Sequence, residues 1–99
     1  MTTVKSIKLG AVAGRHEIPE VQGYVLNLVE DPSDLETIEE NVFKELSKKL
    51  VDVNKLDLYV TGLTSVVLAT VKYCSQNNVK LTCWHFNRDD ASYFMQKIF

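Results

Sequence analysis

The chain has 99 residues and a mass of 11.2 kDa; it is 45% hydrophobic and 24% charged, with a formal net charge of -2 and a pI of about 5.6. Such a chain forms one domain, residues 1–99, and buries only about two-thirds of its unfolded surface around a single core. The apolar content excludes disorder, and no stretch approaches the length of a membrane span. The low charge excludes non-specific nucleic-acid binding, which needs clustered positive charge.

No apolar h-region follows Met1-Thr2-Thr3-Val4-Lys5, so no signal peptide is expected. Residues 6–13 alternate apolar with small or polar residues and predict a strand weakened by Gly10. A polar connection with Arg15-His16-Glu17 follows, then a second strand over residues 22–29. Glu30-Asp31-Pro32-Ser33 breaks the chain. Ser33 and Glu36 have the spacing of a capping box. Leu35, Ile38, Val42, Leu46 and Leu50 then form the apolar stripe of the first helix. Its acids come early and its lysines late, complementing the helix dipole.

Residues 55–61 predict a third strand and Gly62-Leu63-Thr64 a tight turn. A second helix over residues 65–76 is apolar on nearly all sides, as expected of a helix covered on more than one face. Asn77-Asn78 is its stop, because asparagine tolerates the left-handed conformation. Residues 79–86 predict a fourth strand, Asn87-Arg88-Asp89-Asp90 a turn, and residues 92–99 a fifth strand.

The order ββαβαββ implies an α/β (α+β) domain: a single mixed five-strand sheet with two helices. Right-handed crossovers make strands two, three and four parallel. The first and last strands, on short connections, are expected to run antiparallel to their neighbours. Two helices cover one face of such a sheet, so the other face or an edge is expected to be buried in a homodimer.

Open α/β sheets bind ligands beyond the carboxyl ends of their parallel strands. That rule selects two loops. Thr61-Gly62-Leu63-Thr64-Ser65 opens the second helix, and its N–H groups and hydroxyls suit an anion. His85, Asn87 and Arg88 leave the fourth strand. The same residues also read as a helix cap, a histidine packed among Trp84 and Phe86, and a charged turn. Trp84 and Tyr93 suit either a stacked base or the core. Cys74 and Cys83 form no CxxC pair and His16 and His85 stand apart, so no zinc site is expected. The thiols read as reduced and buried, as in a cytoplasmic protein, with a disulfide or a catalytic cysteine as alternatives.

The run LYVTGLTSVVLATVKYCSQNNVKLTCWHFNRDDASYFMQ, in residues 56–96, resembles the small CRISPR-associated ring nucleases of type III systems. Gly62 matches their glycine turn, with Leu63, Thr64 and Ser65 in place of the family's arginine and proline. Phe86-Asn87-Arg88 matches their aromatic–acid–arginine turn, with Asn87 in place of the acid. The resemblance implies a dimer that binds cyclic tetra-adenylate and cleaves it with manganese assisting. An amide is neither a base nor a strong metal ligand, so binding follows from the resemblance more directly than cleavage.

Three functions fit these residues. The first is a nucleotide-binding protein for a cyclic oligoadenylate or another phosphate-bearing molecule. Arg88 would pair with phosphate, Thr61, Gly62, Thr64, Ser65 and Asn87 would hold it, and His85 would serve as acid or base. The second is a non-enzymatic phage or mobile-element protein that binds a host defence factor through Tyr93, Phe94 and Phe99. The third is a metal-dependent phosphoester hydrolase using Asp89, Asp90 and His85.

Overall fold

The structure is a computed structural model that describes residues 5–14 and 18–99. The described residues form β1 (Ser6–Val12), β2 (Tyr24–Leu26), α1 (Leu35–Lys49), β3 (Lys55–Tyr59), α2 (Thr64–Gln76), β4 (Lys80–Asn87) and β5 (Ser92–Lys97). The strands make one mixed sheet in the order β2-β1-β3-β4-β5, with both helices packed together. The predicted α+β class and ββαβαββ order are as expected from the sequence.

The direction of the first strand is not. β1 runs parallel to both β2 and β3, and only β5 is antiparallel to its neighbour. The chain leaving β1 does not make a hairpin. It returns along the strand, so that Gln22 N donates to Lys8 O and Gly10 N to Gly23 O, and then repeats β1's direction. Handedness explains the route. The β2-to-β3 and β3-to-β4 crossovers both step toward β5, so right-handed connections put both helices on one face. The β1-to-β2 step goes the opposite way, and its connection lies on the other face. There Ile18 packs toward Gly10, and its N–H donates to the Tyr24 hydroxyl (3.3 Å). β2 is also shorter than the predicted strand over residues 22–29.

The core fills the helix-side face. Leu9, Ala11, Val25, Leu56, Leu58, Leu81 and Cys83 meet Ile38, Val42 and Leu46 of α1 and Val66, Ala69 and Cys74 of α2. Each large side chain buried there contributes roughly 1.5–3 kcal/mol. The buried Thr70 hydroxyl donates to Val66 O within its own helix, so it is not stranded. Phe43 of α1 meets Tyr73 of α2 edge-on at 5.3 Å, giving α2 its second covered side, although Leu68 stays 62% exposed.

Two details of α1 differ from expectation. The cap is Asp34, whose carboxylate accepts from Thr37 N (3.2 Å) and the Thr37 hydroxyl (2.8 Å). Ser33 is committed instead to Asp31, its hydroxyl donating at 2.6 Å and holding that carboxyl below its usual range. Leu35, at the first helical position, is 61% exposed and outside the buried stripe. The end of α2 follows the sequence: Asn77 is the C-cap, and Asn78 takes the left-handed conformation at φ 55°.

Candidate functional site

The carboxyl edge of the parallel strands carries both predicted loops. After β3 the chain turns at Gly62, whose φ of +77° is left-handed and whose missing side chain leaves room for Val12 of β1. A Cβ on Gly62 would lie 3.0 Å from the Val12 Cβ. The helix then opens at Thr64 from an extended N-cap, Leu63, with no side-chain capping bond. Val66 N donates to Leu63 O at 3.1 Å. The N–H groups of Thr64 and Ser65 have no acceptor among the described residues. The turn is therefore not a hydroxyl cap, and its free N–H groups sit at the positive end of a 13-residue helix.

The end of β4 lies next to it. Val60 N donates to Trp84 O, and the register that pairs Leu58 with Cys83 brings Val60 alongside His85 on the helix-side face. His85 thus stands one strand away from the residue that precedes Thr61. Its ring is not held among Trp84 and Phe86, because the pleat sends those two side chains to the opposite face. It stacks on Phe94 at 5.4 Å, and its Nε2 lies 2.9 Å from Gln96 Oε1. With Nε2–H donating to that oxygen, Nδ1 is left as the acceptor nitrogen. Phe94 and Gln96 carry this role without any signal in local sequence, since only the β4–β5 register reveals them.

Asn87 and the acids beyond it build the hairpin turn. Asn87 Oδ1 accepts from Asp89 N at 3.0 Å. Asp90 Oδ1 accepts from Ser92 N at 3.2 Å and from the Ser92 hydroxyl at 2.6 Å. Arg88 is exposed at the tip and has no ion pair among the described residues. The structure therefore places Thr61, Gly62, Thr64, Ser65 and His85 at one edge, with Arg88 on the hairpin that projects from it.

Asp89, Asp90 and His85 do not converge. Among the described residues no three His, Cys, Asp or Glu side chains are grouped to hold a metal ion. His85 and Asp90 already have protein partners, so this donor set does not fit the manganese that the family resemblance implies. Arg15-His16-Glu17 lies outside the described residues. Cys74 and Cys83 are free and buried. Burial pushes the Cys74 thiol up to about 12 and also raises Cys83, which makes both inert as nucleophiles near neutral pH. A surface groove between the end of β2 and the start of α1 is lined by Leu26, Glu30, Asp31 and Asp34, a charge that repels phosphate.

Trp84 turns away from this edge onto the helix-free face, where its Nε1–H donates to the buried Asp57 (3.1 Å) and its ring stacks on Tyr59 at 5.7 Å. No helix among the described residues is long and apolar enough to cross a membrane. Comparison with protein-family models, curated proteins and solved structures finds no match to this chain.

Proposed function

We propose that this chain binds a phosphate-bearing nucleotide at the carboxyl edge of its parallel strands, and that the nucleotide is a cyclic oligoadenylate. The observation that carries the reading is the open start of α2, with Thr64 and Ser65 N–H groups unpartnered beside the end of β4. Such a helix start favours an anion through its dipole and its free donors. Thr61, Gly62, Thr64 and Ser65 would line the phosphate, and Arg88, free of any described carboxylate, would pair with it in a bidentate way. His85 Nδ1 would serve as acid or base at that edge. The specific ligand rests on the resemblance over residues 56–96, which also implies a homodimer and a role in antiviral defence in the cytoplasm.

Binding and cleavage are separate claims. Asn87 is spent on the turn and stands where the family has an acid, so the proposal rests on binding. The test is calorimetric titration of cyclic tetra-adenylate, cyclic hexa-adenylate and linear tetra-adenylate into the wild type and Arg88→Ala. Arg88 is exposed, so its loss leaves the fold intact. Saturable heat with a cyclic ligand, weakened about tenfold or more in the variant, is expected. Equal or negligible heat from both proteins refutes the reading.

The exposed Phe86, Phe94 and Met95 of the terminal hairpin favour a second reading, a non-enzymatic protein that binds a host defence factor. Recovery of no specific partner from host lysate by the immobilised chain would count against it.

A further inference from the structure

The face of the sheet opposite the helices is ordered in rows. The register aligns Lys55 with Lys80 in one row, and Lys8, Asp57, Thr82 and Lys97 in the next. Then come Tyr59, Trp84 and Met95, followed by Phe86 and Tyr93. All Lys, Arg, Asp and Glu residues of the strands project from this face. Its one carboxylate, Asp57, is buried and bonded to Trp84. The amino end of the face is therefore basic and its middle aromatic. Its carboxyl end is net acidic: Asp89 and Asp90 outweigh Arg88 on the hairpin turn, and Glu20 lies close enough to Tyr59 and Tyr93 to add to the rise that burial imposes on both phenols. Among the described residues, the 18–22 segment covers the β1–β2 side, while Phe86 and Met95 remain 49% and 64% exposed.

We propose that this face is the interface of a two-fold dimer in which two sheets stack with strands antiparallel, the lysine end of each copy over the acidic end of the other. The charge order selects the axis. A two-fold perpendicular to the strands sets Lys55 and Lys80 of one copy against Glu20, Asp89 and Asp90 of the other and stacks the aromatic bands. A two-fold along the strands would set lysines on lysines. The same order disfavours a nucleic-acid strand, whose phosphates would meet the acidic end. A stable interface needs about 800 Å² per partner. The molecule exposes 6694 Å² and is a slab of 40 × 35 × 20 Å, so one broad side supplies that area. The inference specifies the homodimer of the preceding reading but stands on this face alone; it is tested without nucleotide, so failure of ligand binding leaves it untouched.

The test is sedimentation velocity over a concentration series, with circular dichroism and melting as controls. The wild type is expected to be dimeric at tens of micromolar. Met95→Glu, at an exposed position, should be monomeric and melt as a folded protein. Lys80→Glu and Asp89→Lys should each weaken the dimer about tenfold, and the double variant should restore it. A wild type that stays monomeric up to about 100 µM overturns the proposal. So does a dimer indifferent to Met95→Glu, or one whose hydrogen-exchange protection falls on the outer edge of β5 and marks edge-to-edge pairing.

Discussion

Gly62→Ala is the sharpest test of how the carboxyl edge is built. Two costs add. At φ +77° an L-residue is strained by roughly 1–2 kcal/mol. The new methyl also meets the Val12 Cβ at 3.0 Å, an atom that moves only with the β1 backbone, so this overpacking costs about 1 kcal/mol. The total, roughly 2–3 kcal/mol, lowers the melting temperature of a domain this size by about 10–15 °C. Chemical denaturation of the wild type, Gly62→Ala, Val12→Gly and the double variant separates the terms. Val12→Gly removes that Cβ but not the backbone strain, so the double variant should be more stable than the sum of the two single losses predicts, by about the contact cost of 1 kcal/mol. A Gly62→Ala protein as stable as the wild type would refute the left-handed turn. Strict additivity would refute its packing on β1.

Ala91 takes the same conformation at φ 54° in the β4–β5 turn, so Ala91→Gly should stabilise the protein by about 0.5–1 kcal/mol in urea denaturation. Asp34→Ala removes the α1 cap and should cost about 1 kcal/mol, whereas Ser33→Ala should cost a few tenths; the reverse ranking would restore Ser33 as the cap. The Cys74 thiol, raised to about 12 by burial, should resist alkylation at pH 8 until denaturant is added. Its unfolded form ionises near pH 8.5, so its stabilising contribution is complete below that pH and is lost as pH rises toward 12. Denaturation midpoints should fall over that window, and less steeply in Cys74→Ala.

Much of the local structure is legible in the chain. The 3.6-residue stripe of Ile38, Val42 and Leu46 places α1, Asn77-Asn78 ends α2, and the turn Asn87-Arg88-Asp89-Asp90 between two strand-like segments marks the final hairpin. Each is set by contacts within a few residues, where propensity and periodicity act directly. The capping box of Ser33 and Glu36 was misleading by one residue: Asp31 engages the Ser33 hydroxyl, and Asp34 caps the helix instead.

The candidate site was legible as a pair of loops but not as a geometry. A lone sequence puts His85 between Trp84 and Phe86, yet a strand's two-residue period sends those neighbours to the other face and gives His85 to Phe94 and Gln96. The sequence by itself determined the elements, their order and the apolar faces, because these follow from side-chain periodicity along one segment. Only the tertiary structure decided that β1 lies parallel between β2 and β3, since strand direction is settled by hydrogen bonds between distant segments and by the handedness of their connections. That same register, invisible in a net charge of -2, sorts the lysines of four strands and the rings of Tyr59, Trp84, Phe86 and Tyr93 into ordered rows on one open face.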